Sequence, residues 1–256
     1  MIGTKTIIGN DLRVIWQDAI EYILKCGTIR EFGGGLERKK IYDTSINFLL
    51  DEHAVEDALN GRVHPDDPFA SPKKLKEYLK EYMHGFDASV FDYTYRNRLE
   101  EGFCYRRQNV IHNGTNALSY NFKPIDQLEI LRNGLKEQIE EQLGSNRNIA
   151  VLYHPGIDNF SNLSKPCFNE ILVRWEGEIN GQDYVSVHTL FRSHDIGVGW
   201  NSNNYGISNM INNEVVLPND CKILYWDEKN FSAHVYLNDE QVLRGIRKIR
   251  TINHSA

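Results

Sequence analysis

The spacing of apolar residues predicts three amphipathic helices in the first half of the chain. The first follows Asn10 and Asp11, which favour a helix start, and its apolar residues recur at helical intervals as Ile15, Ala19, Tyr22 and Ile23. Gly27 ends this helix. A second helix spans residues 72–85 and begins with a proline. A third spans residues 124–144, with an apolar face of Leu128, Leu131, Leu135 and Ile139.

Beyond residue 146 the pattern changes to short runs rich in Val, Ile, Tyr and Trp, which are typical of β-strands. These runs cover residues 149–153, 171–175, 184–191, 222–226 and 233–237. Asn180-Gly181 predicts a hairpin turn between the second and third strands, and residues 203–213 predict a helix packed against them. Helices first and strands later indicate an α+β fold, with a mainly antiparallel or mixed β-sheet packed against several helices.

Composition and charge narrow the class of protein. The chain is 41% hydrophobic and 25% charged, and it has no internal repeat or linker, so we expect one domain over residues 1–256. The formal net charge of −6 argues against nucleic acid or a membrane surface as a partner. No apolar stretch approaches the length of a membrane-spanning helix, and residues 1–10 lack the apolar block of a signal peptide. We therefore expect a cytoplasmic protein.

The four cysteines, Cys26, Cys104, Cys167 and Cys221, are widely spaced and form no C-x-x-C pair, which argues against a metal site. In a reducing cytosol they are expected to be free thiols. One of them could be a nucleophile, and composition does not say which. The commonest role of a free cysteine is that of a small buried hydrophobic residue.

Short motifs follow one another along the chain in a characteristic order. Pro166-Cys167 precedes the predicted hairpin, and Arg192-Ser193-His194-Asp195 follows it. Asn203 stands eight residues further on, and His234-Val235-Tyr236 lies on the last predicted strand. Upstream, Arg30 enters a predicted glycine-rich loop over residues 28–35. In this order and spacing, the motifs resemble those of the thymidylate synthase and pyrimidine hydroxymethylase family.

Weaker matches extend this resemblance to most of the chain, over residues 15–238. Asp126-Gln127 stands where the family's long central helix begins, and Asn146-Arg147 stands where the family has a pair of arginines. Tyr153-His154-Pro155, followed by Asp158, is similar to a Trp-Asn-Pro-x-Asp stretch of the family. The resemblance therefore implies a thymidylate synthase-like fold.

The resemblance implies that Cys167 is the catalytic nucleophile. Carbon 5 of uracil or cytosine is a poor nucleophile, and addition of a thiolate to carbon 6 makes it reactive. Arg192 is the cation expected to stabilise this thiolate. The nucleotide phosphate would bind Arg30, Arg192, Ser193 and Arg147. In the family the last of these arginines comes from a second subunit, so the resemblance implies a homodimer.

The same resemblance implies binding sites for the base and the sugar. Asn203 would bind the base through its amide, and asparagine at this position goes with uracil whereas aspartate goes with cytosine. Asn204 is the alternative if the match is one residue out of register. Asp195 would be a catalytic residue and would form the side of the pocket that faces the base ring. His234 and Tyr236 would bind a sugar hydroxyl. Without the resemblance, the same residues are consistent with an ordinary helix cap and a strand pair.

Three features depart from the family's pattern. Phe168 follows the nucleophile, where the family has a histidine. The family's catalytic glutamate, which acts in proton transfer near the folate, lies seven residues before a glycine, and that position here is Tyr78. We assign its role to Glu77, with Glu81 as the alternative. Only about twenty residues follow Tyr236, and a shortened tail would admit water to the site.

These observations predict a one-carbon transferase. The leading function is folate-dependent, thymidylate synthase-like methylation of dUMP to dTMP, with 5,10-methylenetetrahydrofolate as co-substrate and no metal. The first alternative is a hydroxymethylase acting on dUMP, dCMP or CMP, which the short tail favours. The second is a catalytically altered nucleotide-binding homologue, which Phe168 and the displaced glutamate favour. A third keeps the addition of Cys167 but transfers another group to another base.

Overall fold

The computed structural model of the chain describes residues 4–32, 39–65, 67, 70–84, 94–100, 102–112, 115–159 and 165–236. The helices are α1 (Leu12–Cys26), α2 (Glu52–Leu59), α3 (Pro72–His84), α4 (Tyr95–Glu100), α5 (Gln127–Glu141), α6 (Pro155–Asp158) and α7 (Trp200–Ile211). Within these ranges, no helix has the length and apolar character needed to cross a membrane.

The strands are β1 (Lys5–Gly9), β2 (Thr28–Phe32), β3 (Lys39–Asp51), β4 (Gly102–His112), β5 (Thr115–Ile125), β6 (Ile149–Val151), β7 (Phe168–Ile179), β8 (Gln182–Phe191), β9 (His194–Asp195) and β10 (Cys221–Tyr236). The main sheet runs in the order β1-β3-β10-β8-β7-β6, with β2 paired to β3 and β9 paired to β10. It mixes parallel and antiparallel pairs, whereas β4 and β5 form a separate antiparallel hairpin. The predicted α+β fold class is confirmed.

Two of the predicted helices have the expected ends. Helix α1 is capped by the side chain of Asp11, which accepts from the backbone N–H of Arg13. It stops at Gly27, where a Cβ atom would lie 2.4 Å from the carbonyl oxygen of Ile23. Helix α3 begins at Pro72, as predicted.

The start of helix α5 differs from the prediction. Pro124 belongs to strand β5, and the helix begins at Gln127 after the N-cap Asp126, which accepts from Glu129 N–H. Proline at residue 124 was therefore the wrong start signal, because the aspartate two residues later caps the helix.

The later strands are longer than predicted. The runs over 222–226 and 233–237 belong to one strand, β10, in which the pairing with β3 shifts register between Asn230 and Ala233. Leu237, the last residue of the predicted run, lies outside the described residues. The hairpin turn is confirmed, since Asn180 and Gly181 both adopt positive φ angles of 54° and 79°.

Strand β3 was not predicted at all. It is an interior strand of the sheet, pairing with β1 and β2 on one side and with β10 on the other. Residues 28–32 also form a strand, β2, where a loop was expected, and residues 33–35 lie outside the described residues. One face of the sheet packs against α1, α5 and α7 in a continuous apolar core, and the predicted site lies beside this core.

Candidate active site

Cys167 and Arg192 lie side by side at one end of the β7–β8 hairpin. Phe168 pairs with Phe191, and the backbone N–H of Arg192 donates to the carbonyl oxygen of Cys167 at 2.9 Å. The guanidinium donates to the carbonyl oxygens of Pro166 and Lys165 at 2.9 and 2.8 Å. Its Nη2 is thereby held 3.9 Å from the Cys167 sulfur. A fixed cation at this distance stabilises a thiolate.

The other described thiols have different surroundings. Cys26 is exposed at the end of α1. Cys221 is buried, and its burial, with smaller effects of Asp183 and Asp220, raises the pKa of the thiol to about 12. A thiol with so high a pKa is a poor nucleophile at neutral pH. The side chain of Cys104 lies outside the described residues.

Strand pairing aligns Asp195 with residues of two further strands. His234 on β10 pairs with Asp195 on β9 and with Asp43 on β3. The Asp195 carboxylate accepts from the backbone N–H groups of Gly197 and Val198 at 3.0 and 3.2 Å. It therefore shapes the turn that leads into α7, directly beside the end of β10.

The His234 and Tyr236 side chains lie together at this end of the strand. Their rings meet edge to face, with centroids 5.2 Å apart. Burial lowers the pKa of His234, while the carbonyl oxygen of Ser232, 3.3 Å from Nδ1, acts in the opposite direction. Burial raises the pKa of Tyr236, and the nearby charges of Asp195 and Cys167 raise it further. Tyr236, one of the predicted sugar-binding residues, therefore lies within electrostatic range of Cys167.

Arg30 lies two strands away from Tyr236, because both residues pair with Ile41 of β3. Its Nε donates to the carboxylate of Asp43 at 2.7 Å, and that carboxylate also accepts from the Ser232 hydroxyl at 2.6 Å. Asp43 is buried, whereas the Arg30 side chain is 66% exposed. The ion pair with Asp43 thus fixes the Nε end of the Arg30 guanidinium, while the side chain as a whole is largely exposed to solvent.

Asn203 lies on α7, and two side chains hold its amide. The Tyr78 hydroxyl on α3 donates to Oδ1 at 2.7 Å, and Nδ2 lies 2.9 Å from Nε2 of His194. Asn204, the alternative considered above, donates instead to the carbonyl oxygen of Trp200 one turn earlier. Gly199 lies close to this amide, since a Cβ atom there would be 3.5 Å from Nδ2 of Asn203.

His194 lies inside a buried polar cluster. Its Nδ1 faces a Glu228 carboxyl oxygen at 3.2 Å and the Asn230 amide oxygen at 3.1 Å. The same Glu228 oxygen accepts from Trp200 Nε1 at 3.1 Å. The imidazole stacks on Phe191 with 3.9 Å between ring centroids. Every polar atom of the imidazole ring therefore contacts another polar side chain.

Phe168, which replaces the family's histidine, belongs to the same aromatic stack. Its ring stacks on Phe191 at 4.7 Å between centroids and meets Tyr95 edge to face at 5.3 Å. The side chain is fully buried in the core. Phe168 is thus a packing residue that connects the β7–β8 hairpin to α4.

Two further residues of the predicted phosphate site, Ser193 and Arg147, have different positions relative to Cys167. Ser193 follows Arg192 and is partly exposed. Arg147 is exposed just before β6, beside Asn148, whose carbonyl accepts from Val173. Because Val173 is six residues along β7 from Cys167, Arg147 is about 20 Å from the thiol of its own chain. The structure therefore does not bring Arg147 together with Cys167.

Glu77 faces away from the other predicted residues. Its side chain is 60% exposed and forms an ion pair with Lys73 one turn earlier, at 3.9 Å. Tyr78, the next residue, is the one that reaches Asn203. The side chain of Glu81 lies outside the described residues.

The sequence reasoning missed three residues of this site: Tyr78, His194 and Asp43. Tyr78 stands at the family's glutamate position, but it is not an acid, so the pattern gives it no role in proton transfer. His194 stands at the variable position of the Arg-Ser-x-Asp run, where the pattern gives it no role. For Asp43 there was no signal, because strand β3 itself was not predicted.

No family model matches the chain. Among curated proteins, it is 28% identical over 202 residues to a protein of Methanosarcina acetivorans named "Putative thymidylate synthase", covering 75% of this chain and 76% of that protein. It is 26% identical over 241 residues to a protein of the same name from Methanosarcina mazei, covering 90% and 91%. A third, from Methanosarcina barkeri, is 27% identical over 197 residues, covering 76% and 75%. These relatives support the resemblance to thymidylate synthases that the motifs indicate.

Proposed function

We propose that the protein transfers a one-carbon unit to carbon 5 of a pyrimidine nucleoside monophosphate, as thymidylate synthase does when it converts dUMP to dTMP. The observation that carries this proposal is the guanidinium of Arg192, held by two backbone carbonyls at 3.9 Å from the thiol of Cys167. It provides an activated nucleophile beside a cation suited to a phosphate. The similarity to proteins named as thymidylate synthases supports the same reaction class.

The chemistry begins with the Cys167 thiolate. Its addition to carbon 6 of the base moves an electron pair into the ring and makes carbon 5 nucleophilic. 5,10-Methylenetetrahydrofolate would supply the one-carbon unit to which carbon 5 bonds. Carbon 5 then loses its proton, and the bond between the one-carbon unit and the folate nitrogen breaks, with tetrahydrofolate as the leaving group. A hydride from this tetrahydrofolate would reduce the methylene to a methyl group and leave dihydrofolate, whereas addition of water would give a hydroxymethyl group. In either case the bond between sulfur and carbon 6 breaks and releases Cys167. The charge of Arg192 favours the thiolate both as attacking group and as leaving group.

The nucleotide phosphate is proposed to bind at Arg30, Arg192 and Ser193, with Arg147 of a second subunit as a further donor. Arg30 is anchored at Nε by Asp43 and is largely exposed, which leaves the outer part of its fork directed towards solvent. Arg147 of the same chain is about 20 Å from Cys167. It can contribute to the site only from another copy, so this proposal requires a homodimer.

The base is proposed to bind the amide of Asn203, and the sugar to bind His234 and Tyr236. Burial keeps His234 neutral at pH 7, since its pKa is lowered, so the ring offers both a donor and an acceptor. Asp195 lies beside both strand ends and would complete the ring side of the pocket. Glu77 stays a prediction for the proton-transfer residue, and its place on an exposed helix face makes it the least supported member of the set.

The test is release of tritium from carbon 5 of labelled dUMP and dCMP, with and without methylenetetrahydrofolate. We expect release from dUMP that falls at least about 10³-fold in Cys167→Ala, because removal of a covalent nucleophile has effects of this size or larger. The matched control is Cys26→Ala, which removes an exposed thiol and should leave the rate unchanged. An increase in absorbance at 340 nm would identify dihydrofolate and hence a methylated product.

Other outcomes choose among the alternatives. Tritium release without formation of dihydrofolate indicates hydroxymethyl transfer. Release from dCMP but not from dUMP would show that the substrate base is cytosine and not uracil. Binding of dUMP without any release makes the chain a nucleotide-binding protein. Release that persists in Cys167→Ala rules out the covalent mechanism.

A further inference from the structure

A continuous chain of hydrogen bonds crosses the core beside Cys167 and joins four elements. It runs from Tyr78 on α3 to Asn203 on α7, at 2.7 Å, and from Asn203 to His194 on β9, at 2.9 Å. It ends at Glu228 on β10, 3.2 Å from His194. Asn203, His194 and Glu228 are all buried. The two links to His194 therefore act where water does not compete for the polar atoms.

The atoms at the buried end of the chain determine its direction. Asn230 donates through Nδ2 to Glu228 at 2.8 Å, so its amide oxygen is the atom turned towards His194. Nδ1 of His194 thus faces two acceptor oxygens and is the nitrogen that carries the proton. In a neutral imidazole the other nitrogen, Nε2, is then an acceptor. Asn203 must present its NH₂ group to it, and its oxygen accepts from Tyr78.

The orientation of this amide matters because uracil and cytosine differ in donor and acceptor order. Uracil presents an acceptor at O4 beside a donor at N3, whereas cytosine presents a donor at N4 beside an acceptor at N3. An asparagine amide complements one base in one orientation and the other base after a 180° rotation. In solution the two orientations differ little in energy, so a protein that reads a base with asparagine must hold the amide in place.

We propose that His194 is the positioning residue that fixes the amide of Asn203 and so makes the site prefer uracil to cytosine. The proposal rests on the proposed reading of the base by Asn203. The residue after the nucleophile, Phe168, has no polar atom in its side chain, and its ring packs through Phe191 against the imidazole of His194. The aromatic stack thus supports the imidazole from the side of Cys167, while Glu228 and Asn230 fix its tautomer.

The test measures the dissociation constants of dUMP and dCMP by calorimetry on the full chain. His194→Phe keeps an aromatic ring against Phe191 but removes the acceptor that orients the amide. We expect the preference for dUMP over dCMP to narrow about tenfold, which corresponds to one ordinary hydrogen bond. A purely structural defect would weaken binding of both nucleotides and leave their ratio unchanged.

Two further variants serve as controls. His188→Phe replaces a histidine on the opposite face of the same sheet and should leave the ratio as in the wild type. In an Asn203→Ala background, where no amide remains to be oriented, His194→Phe should have no effect on the ratio. An unchanged ratio in His194→Phe alone, or equal binding of both nucleotides by the wild type, overturns the role of His194.

A measurement without nucleotide separates this inference from the proposed function. In ¹⁵N NMR spectra of the imidazole side chains, His194 should carry its proton on Nδ1, and a proton on Nε2 would contradict the inference whatever the protein binds. Failure of the wild type to bind either nucleotide would instead refute the proposed function, and the selectivity role would fall with it.

Discussion

Two histidine–carboxylate pairs lie on opposite faces of the same sheet and have the same length. His188 contacts Asp227 at 3.2 Å, and His194 contacts Glu228 at 3.2 Å. Asp227 and Glu228 are consecutive on β10, so their side chains point to opposite faces. His188 is 27% exposed, whereas His194 is 2% exposed. The two pairs therefore have the same N···O distance but different exposure to solvent.

The surroundings decide what each pair does. Around His188, the neighbouring Ser186 is buried, but Lys229 is 56% exposed. Solvent therefore reaches this pair and screens its charges. Around His194, every neighbour is a buried polar or aromatic group, and the chain of contacts continues to Asn203. The pair of His188 and Asp227 is thus a partly exposed ion pair, whereas the pair of His194 and Glu228 holds a fixed orientation next to Asn203.

The largest expected difference comes from removing the carboxylate of each pair. Glu228→Ala removes the acceptor of the buried Trp200 and Asn230 N–H groups. We expect a loss of about 3–5 kcal/mol in the free energy of unfolding, because each buried donor without an acceptor costs roughly 1–3 kcal/mol and a cavity adds to this. Asp227→Ala should cost about 1 kcal/mol or less. Urea unfolding of both variants measures the difference, and equal losses would refute the comparison.

A smaller effect is expected from replacing Phe168 with histidine, the residue that thymidylate synthases have at the corresponding position. Phe168→His places two ring nitrogens inside a stack formed by Phe191 and Tyr95. We expect a loss of about 2 kcal/mol in the free energy of unfolding, since polar groups buried in an apolar environment cost roughly 1–3 kcal/mol. The matched control is Phe231→His on the open face, where phenylalanine is 67% exposed and the change should be within about 0.5 kcal/mol. If Phe168→His were more stable than the wild type, a polar group near this position would have to hydrogen-bond the introduced imidazole, and the expectation would be wrong.

The sequence predicts elements whose signals are local and fails where they are not. Helix α1 has its own cap at Asp11 and its own stop at Gly27, so periodicity and end signals agree. Strand β3 has buried Asp43 and Thr44 among its apolar residues, and these polar side chains break the alternation that marks a strand. Asp43 is buried because it binds Arg30 and Ser232, and this reason lies outside the strand itself.

The candidate site shows the same division. The motifs around Cys167 and Arg192 are readable in the sequence, and the turn at Asn180 and Gly181 predicts a hairpin between them. If the pairing register next to the turn were kept along the whole hairpin, Cys167 would lie opposite His194. Two one-residue register shifts in β7 place Arg192 opposite Cys167 instead. The shift between Trp175 and Gly177 coincides with a glycine at a φ angle of 124°, which is typical of a bulge. The shift between Phe168 and Glu170 has no sequence signal. The contacts of His194 with α7 and β10 depend on tertiary packing and are equally invisible.

The smallest expected effect concerns the pH dependence of the exposed pair. The hydrogen bond with His188 lowers the pKa of the Asp227 carboxyl, and burial opposes this shift. A carboxyl whose pKa is lower in the folded state stabilises the protein above its unfolded pKa of about 3.9, and this contribution is lost as the pH falls through the folded value. Asp227→Asn should therefore be less stable than the wild type at pH 7, by about 1 kcal/mol or less, and equally stable near pH 2. Urea unfolding across this range measures the difference in the free energy of unfolding between the wild type and Asp227→Asn. This difference should be smaller in a His188→Phe background, because the hydrogen bond that lowers the pKa is then absent.

The contrary outcome is a difference that grows as the pH falls below 4. It would show that the Asp227 carboxylate destabilises the folded protein, so that this pair would differ from the buried pair in the sign of its contribution as well as in its size.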